Sequence, residues 1–313
     1  MRPCLDTAML LGSLVLVVTA HAEAQNDNAP APRGRRTQSR AEWLDPVRDA
    51  PNGTKYATFV SKTLGAEASY LVYLPPEYDE ATQRYPVIYW LHGLGGNQRA
   101  GAMLFVPQVE QAIHLGALPP TIVVLVNGMV NSFYCDWADG KRPVESVIVK
   151  DLVPHIDATY RTIARREGRA IEGYSMGGFG AGHLGFKYPD LFGTVVINAG
   201  ALIRETALNG PNLAPILKEG FANDPRRFDA EHPNELAEKN AEQIRGRTNI
   251  RIGVGKDDSL LPRNRELHEL LQKLSIDHQY EEVPNVDHNG LLYYRVLGVD
   301  AFSVYRTAFH ALE

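Results

Sequence analysis

The pentapeptide Gly-Tyr-Ser-Met-Gly at residues 173–177 constrains the fold more than any other part of this sequence. A short apolar run precedes it, and a Gly- and Ala-rich stretch with helical character follows it. A serine between two such glycines is typical of a sharp turn from a strand into a helix, where larger side chains at the glycine positions would collide. The turn places the serine hydroxyl above the edge of the sheet and directs the N-terminus of the following helix toward that hydroxyl. Ser175 is therefore the candidate nucleophile.

Short apolar runs recur along the chain and end in turn residues. The stretches 56–62 and 69–74 alternate in polarity, as an antiparallel hairpin does. Later runs are apolar on both faces, which is typical of parallel strands buried between two helical layers. The alternation with helix-like stretches predicts an α/β fold, a three-layer sandwich with a mostly parallel sheet and an antiparallel N-terminal start. The later runs lie at 87–91, 121–126, 170–171, 194–197 and 250–254, the helix-like stretches at 144–160, 175–188, 261–274 and 291–312, and the most irregular insertion at 201–240.

A serine hydroxyl is a poor nucleophile unless a base takes its proton, and the base needs a carboxylate to orient it. In this type of fold the acid and then the histidine follow the serine along the chain. The run 250–254 leads to Asp257 and Asp258, and an edge strand at 280–283 leads to His288. Asp258 is the preferred acid because Gly255 would make the turn before it, with Asp257 as the alternative. Ser175, Asp258 and His288 predict acyl-transfer chemistry at one edge of the sheet.

Such chemistry also needs N–H donors for the oxyanion of the tetrahedral intermediate. The serine turn predicts the backbone N–H of Met176 as one donor. The Gly-rich loop at 92–96, which follows the run 87–91, predicts that of Leu94 as the other. His92 would brace this loop by hydrogen bonding.

A segment rich in aromatic residues follows the run 121–126 on the same side of the predicted sheet. Its rings could form a wall for an acyl or aryl group, and packing beneath the site is the alternative for each ring. The predicted substrate-binding residues are His92, Phe133, Tyr134 and Trp137.

The N-terminal part of the chain differs in composition from the rest. Residues 1–24 combine an apolar run with small-x-small cleavage sites and are predicted to be a secretory signal peptide, with a membrane anchor as the alternative. Residues 25–52 are rich in Pro, Ala, Asn and Arg and are predicted to be a flexible linker. Residues 53–313 are the predicted catalytic domain. We therefore expect a secreted or periplasmic protein without a stable membrane span.

Charge and motif content argue against several other classes of function. The net charge of -5 gives no electrostatic reason to expect nucleic-acid binding. The sequence has no His-Glu-x-x-His, no cysteine pair for zinc and no Walker-type loop. Removal of residues 1–24 would leave Cys135 as the single cysteine of the mature chain. We expect it to be a small buried residue.

Five segments together resemble the α/β-hydrolase family of putative esterases, also called the esterase D family. The resemblance covers about residues 55–312. It implies the α/β-hydrolase fold, a triad of Ser175, Asp258 and His288, oxyanion donors at Leu94 and Met176, and no metal or organic cofactor. The segments are Leu-His-Gly-Leu-Gly-Gly-Asn at 91–97, Ser-Phe-Tyr-Cys-Asp-Trp at 132–137, Gly-Tyr-Ser-Met-Gly-Gly at 173–178, Gly-Lys-Asp-Asp at 255–258 and Asp-His at 287–288.

The same resemblance implies an exported serine carboxylic-ester hydrolase that acts through an acyl-serine intermediate. The expected substrates are feruloyl, acetyl or short-chain esters, either small molecules or linked to polysaccharide. The predicted signal peptide argues against the cytosolic S-formylglutathione hydrolases of the family. The Phe-Tyr-x-Asp-Trp element is also similar to mycolyltransferases, so transfer of the acyl group to a sugar hydroxyl is the alternative. A non-catalytic binding module is disfavoured because candidates for all three triad positions are present.

Overall fold

The computed structural model describes residues 42–46, 50–204, 213–310 and 312. The predicted signal peptide and most of the predicted linker lie outside these ranges. Within them, eight strands form one sheet in the order β1-β2-β4-β3-β5-β6-β7-β8. The strands are β1 (Thr54–Ser61), β2 (Ala66–Tyr73), β3 (Val87–Leu91), β4 (Ile122–Val126), β5 (Arg169–Tyr174), β6 (Thr194–Asn198), β7 (Asn249–Gly255) and β8 (Gln279–Val283).

The sheet starts antiparallel and continues parallel. β1 and β2 form an antiparallel hairpin, and β2 is also antiparallel to β4. Every neighbouring pair from β4 to β8 is parallel. Strands β3 to β6 are buried along their whole length, because helices cover both faces of the sheet. The predicted strand pattern is confirmed.

Helices form a layer on each side of this sheet. One core cluster joins the sheet to α3, α4, α5, α7 and α9, and a second joins the opposite face to α1, α2, α10 and α11. This is the predicted three-layer sandwich of the α/β-hydrolase fold. The helices are α1 (Arg99–Leu104), α2 (Val106–His114), α3 (Val144–Ser146), α4 (Val153–Thr159), α5 (Met176–Lys187), α6 (Pro225–Ala230), α7 (Pro233–Lys239), α8 (Ala241–Ile244), α9 (Leu261–Lys273), α10 (Gly290–Leu297) and α11 (Ser303–His310).

Two of the predicted helices are interrupted. The stretch 144–160 contains a π-helical turn, Val147–Leu152, that ends two residues before Pro154 in α4. Proline has no N–H to donate to the preceding turn, so the wider turn fits it. The stretch 291–312 is divided between α10 and α11 by a 3₁₀ segment at Gly298–Phe302, and Gly298 has a φ of 52°.

The predicted linker is too long at its C-terminal end. The carbonyl of Trp43 accepts hydrogen bonds from the N–H of Ser69 (2.8 Å) and from Asn127 Nδ2 (3.0 Å). Asp45 is buried and accepts a hydrogen bond from Asn97 Nδ2 at 3.2 Å. These contacts attach residues 42–46 to the sheet, so the folded domain begins before residue 53. Composition alone did not indicate this, because the segment is held mainly by polar contacts of its backbone.

The parallel strands bring several loops to one edge of the sheet. β3, β5, β7 and β8 run in the same direction, so the loops after their carboxyl ends lie side by side. Those loops carry Gly93, Ser175, Asp258 and His288, respectively.

Candidate active site

Ser175 lies on the sharp turn between β5 and α5. Its φ of 61° and ψ of -117° are in a region that non-glycine residues rarely adopt. A Cβ atom at Gly173 would lie 2.1 Å from the carbonyl oxygen of Gly177, and one at Gly177 would lie 2.0 Å from that of Leu91. Only glycine fits at either position, as predicted for a turn of this type.

A chain of hydrogen bonds joins Ser175 to two residues from distant loops. His288 Nε2 lies 2.9 Å from Ser175 Oγ, and His288 Nδ1 lies 2.7 Å from Asp258 Oδ2. A carboxylate can only accept, so Nδ1 carries the proton and Nε2 can accept the serine proton. The structure thus brings the three predicted residues together in the order that a serine nucleophile needs.

The structure also distinguishes between the two neighbouring aspartates. The side chain of Asp258 is buried, and its Oδ1 accepts a hydrogen bond from the N–H of Leu260 at 2.8 Å. Asp257 is exposed, and its N–H donates to the carbonyl of Val286 at 3.0 Å. Asp258, rather than Asp257, therefore contacts His288.

The Gly-rich loop after β3 lies directly against Ser175. A Cβ atom at Gly93 would lie 3.4 Å from Ser175 Cβ. The loop is anchored because the N–H of Gly95 donates to the carbonyl of Val130 at 2.7 Å. The N–H groups of Leu94 and Met176 donate no hydrogen bond to another group of the described residues. Both are thus available to an oxyanion, and Met176 is the first residue of α5, where the helix dipole favours negative charge.

His92 supports this loop from inside the protein. Its Nδ1–H donates to the carbonyl of Gly93 at 2.9 Å, and its Nε2 accepts from the N–H of Gly128 at 3.3 Å. Burial lowers the pKa of His92 to about 4, so the ring is neutral. The bracing contacts expected of His92 are present. The prediction that it binds substrate is wrong, because the side chain is fully buried.

The predicted aromatic wall is also wrong, since Phe133, Tyr134 and Trp137 are all buried. Phe133 packs edge-on against Phe179, with ring centroids 5.1 Å apart. The hydroxyl of Tyr134 donates to the carbonyl of His92 at 3.0 Å. The guanidinium of Arg142 covers the ring of Trp137 at 4.1 Å, and Trp137 Nε1 donates to the carbonyl of Ser132 at 3.4 Å. The rings pack beneath the site, which was the alternative for each of them.

A buried ionic cluster below α5 was not predicted. Glu145 Oε2 accepts hydrogen bonds from His183 Nε2 at 2.8 Å and from Lys187 Nζ at 2.9 Å, and Tyr188 donates to its other oxygen. His183 Nδ1 also lies 3.0 Å from the carbonyl of Glu231, so both ring nitrogens donate. Although burial acts against it, the hydrogen bond to the Glu145 carboxylate and its negative charge raise the pKa of His183 well above its usual range. His183 is therefore an imidazolium.

The same cluster contains the group of described side chains that could hold a metal ion. Ligand atoms of Glu145, His183 and Glu231 all lie within 4.8 Å of one another. Lys187 Nζ already lies between the two carboxylates, at 2.9 Å from Glu145 and 2.6 Å from Glu231. Because this ammonium and the imidazolium supply the positive charge, we assign the cluster a structural role that fastens α5 to its neighbours.

A second unpredicted network surrounds Glu172, three residues before Ser175. Its Oε1 accepts hydrogen bonds from Asn198 Nδ2 and from the hydroxyl of Tyr294, both at 2.8 Å, and Tyr305 donates to Oε2. Arg251 Nη1 donates to Asn198 Oδ1 at 3.1 Å and so joins the network. Burial raises the pKa of Glu172 to about 7, although these hydrogen bonds act in the other direction. The network ties β5, β6 and β7 to α10 and α11.

Comparison with known proteins gives matches to esterases. The family model described as "Putative esterase" matches residues 61–310. An esterase of Mycobacterium tuberculosis (strain CDC 1551 / Oshkosh) is 30% identical over 258 residues, which cover 73% of this chain and 54% of that protein. An endo-1,4-beta-xylanase/feruloyl esterase of Xylanibacter ruminicola is 33% identical over 150 residues, or 44% of this chain and 20% of that protein. The chain thus spans about half the length of the first of these relatives, and less of the second.

Solved structures give the same fold. A ferulic acid esterase has a TM-score of 0.69 and 24% identity, with 82% of this chain and 99% of that chain covered. An S-formylglutathione hydrolase from Agrobacterium tumefaciens has a TM-score of 0.66 and 21% identity, with 83% and 97% covered.

Proposed function

Since this chain belongs to the putative esterase family, we propose that it is a serine carboxylic-ester hydrolase that acts through an acyl-serine intermediate. The observation that carries the proposal is the chain of hydrogen bonds from Ser175 Oγ through His288 to Asp258. It supplies a nucleophile, a base and an orienting carboxylate at the carboxyl edge of the sheet.

Each group then has one task in the proposed reaction. Ser175 Oγ attacks the carbonyl carbon of the ester while His288 Nε2 takes its proton, and the imidazolium stays hydrogen-bonded to Asp258. The N–H groups of Leu94 and Met176 stabilise the oxyanion of the tetrahedral intermediate. When the C–O bond to the alcohol breaks, His288 returns the proton to the leaving oxygen. Water repeats these steps on the acyl-serine and releases the acid.

For the substrate, we propose a feruloyl, acetyl or short-chain ester, free or linked to polysaccharide. The names of the relatives support this choice, since one is an endo-1,4-beta-xylanase/feruloyl esterase and another an acetyl esterase from Caldicellulosiruptor saccharolyticus. The alternative of acyl transfer to a sugar hydroxyl rested on the Phe-Tyr-x-Asp-Trp element. The three rings of that element are buried, so they offer no surface to a sugar acceptor. Hydrolysis is therefore the function that the site supports better.

The test measures turnover of p-nitrophenyl acetate, p-nitrophenyl butyrate, methyl ferulate and acetylated xylan. Ser175→Ala should abolish turnover of every ester. Ser259→Ala is the matched control, because Ser259 is an exposed serine close to the site whose hydroxyl makes no hydrogen bond within the described residues. Unchanged turnover in Ser175→Ala would reject the proposal. Mass spectrometry of products formed with added trehalose or xylooligosaccharide would detect an acylated sugar if transfer is the true reaction.

We also propose that the protein is secreted or periplasmic. The support is the composition of residues 1–24, which lie outside the described residues. Among the residues that the structure describes, no helix combines the length and the apolar character that a membrane span needs. N-terminal sequencing of the exported protein should start near residue 25. Recovery only in the cytosol, with Met1 retained, would contradict export.

A further inference from the structure

Tyr174 has no task in the reaction described above, yet it contacts the group that must become charged. It is the last residue of β5 and is 7% exposed. Its ring packs against the imidazole of His288, with centroids 5.2 Å apart and planes 34° apart. In the proposed mechanism, this imidazole carries a positive charge in each transition state.

Hydrogen bonds alone do not fix the orientation of the His288 ring. The bonds to Asp258 and Ser175 lie at opposite edges of the imidazole and leave it able to tilt about the line between its two nitrogens. The side chain of His288 is 37% exposed, so part of the ring faces solvent. The buried ring of Tyr174 packs against the imidazole from the protein interior, and this contact resists the tilt.

The ring of Tyr174 is itself held in place. Tyr293 and Tyr294 pack against it, with centroid distances of 5.8 and 6.5 Å. A Cβ atom at Gly290 would lie 3.4 Å from two of its ring carbons, so the start of α10, two residues after His288, also packs on the ring. The hydroxyl of Tyr174 is buried and has no hydrogen-bond partner within the described residues. The ring, rather than the hydroxyl, therefore carries the contact.

We propose that Tyr174 is a positioning residue for His288. Its ring fixes the tilt of the imidazole between Asp258 and Ser175 and stabilises the imidazolium that forms when Ser175 loses its proton. An aromatic face within about 6 Å attracts a cation, and the attraction grows as water is excluded. The inference rests on the proposed function, because only that reaction places a positive charge on His288.

The test compares Tyr174→Met with Tyr174→Phe in the full chain, on p-nitrophenyl acetate. Methionine fills much of the volume but has no aromatic face, whereas phenylalanine keeps the face and loses only the unpartnered hydroxyl. Tyr174→Met should lower kcat by about 10- to 100-fold and change KM by no more than about twofold. Tyr174→Phe should restore most of kcat. Wild-type kcat in Tyr174→Met, or an equal loss in both variants, would overturn the proposal.

A second measurement separates orientation of His288 from folding. Ring-current shielding by Tyr174 should place the imidazole C–H signals of His288 upfield in the wild-type NMR spectrum relative to Tyr174→Met. Identical shifts would contradict the contact between the two rings. Should circular dichroism show that Tyr174→Met does not fold, fluorinated phenylalanines at position 174 keep the shape and weaken the π-face. A stepwise fall of kcat with fluorination supports the proposal, and a constant kcat overturns it.

Failure of the proposed function gives a different result from failure of this inference. If the proposed function is wrong, Ser175→Ala keeps wild-type turnover.

Discussion

Replacing Glu172 by glutamine should change how the stability of this protein depends on pH. Glu172 is buried in β5, and burial raises its pKa from 4.5 to about 7, against hydrogen bonds from Tyr305 and Tyr294. An acid whose pKa is raised in the folded state stabilises the fold fully below its unfolded pKa. That contribution is lost as the pH rises through the folded pKa. The relevant window therefore runs from pH 4.5 to slightly above pH 7.

The size of the effect follows from the two pKa values. A rise from 4.5 to about 7 corresponds to about 3 kcal/mol in the free energy of unfolding, since one pKa unit is worth about 1.4 kcal/mol. Other buried groups oppose it, because burial lowers the pKa of His92 to about 4 and that of His232 to about 3. Comparison with Glu172→Gln cancels these groups. Glutamine does not titrate, and its amide oxygen can still accept from Asn198 and Tyr294.

Urea unfolding followed by circular dichroism, at pH values from 4.5 to 8, measures this difference. The free energy of unfolding of Glu172→Gln, relative to wild type, should increase by about 3 kcal/mol between pH 4.5 and pH 8. A difference that stays constant over this range would refute the reasoning. Glu172 would then bind its proton equally well in the folded and unfolded states.

Three other predictions concern the triad acid, the turn at Ser175 and the buried thiol. Asp258→Asn should lower kcat by about 10⁴-fold, because asparagine does not hold the required tautomer of the histidine. Asp257→Asn should stay within about threefold of wild type, since that carboxylate is exposed; steady-state kinetics that give both variants the same loss would contradict the assignment. Gly177→Ala should yield little folded protein, because its Cβ would lie 2.0 Å from the carbonyl oxygen of Leu91, and a native circular dichroism spectrum would argue otherwise. The buried thiol of Cys135 should react with a thiol reagent only after unfolding in urea, so rapid labelling of the native protein would be inconsistent with the fold.

The sheet was predictable because each strand carries its own local signal. Strands β3 and β4 are short continuous apolar runs, which are typical of strands buried on both faces. The turn at Ser175 was predictable for a similar reason. Glycines two residues before and two residues after a serine, between an apolar run and a helix-like stretch, are typical of a sharp strand-to-helix turn. The interruption at Gly298 was missed, because a single glycine does not fix where a helix ends.

The aromatic segment shows why the direction of a side chain is harder to predict than its place in the chain. The sequence placed Phe133 and Tyr134 correctly after β4, at the carboxyl edge of the sheet. Both residues have a positive φ, 52° and 61°, and their rings are buried beneath the site. Left-handed conformations are rare for bulky residues, so neither local propensity nor periodicity predicts them.

The buried charged networks were missed because they depend on partners far apart in the chain. One signal was present in the sequence. Glu172 and Arg251 are charged residues inside otherwise apolar runs. In the sheet both are paired with Val196 of β6, from opposite sides of that strand. Two opposite charges at the same level of a buried sheet indicate a polar network. The cluster of Glu145 and His183 had no such signal, since each residue alone is ordinary for a helix.

The most direct test of the account asks whether Ser175 is the residue that becomes covalently modified. Intact-protein and peptide mass spectrometry after treatment with an organophosphonate should find a single adduct on the peptide that contains residues 173–177. Ser175→Ala, checked by circular dichroism to be folded, should remain unmodified. Full modification of Ser175→Ala, or an adduct at any other residue of the wild-type protein, would contradict the claim.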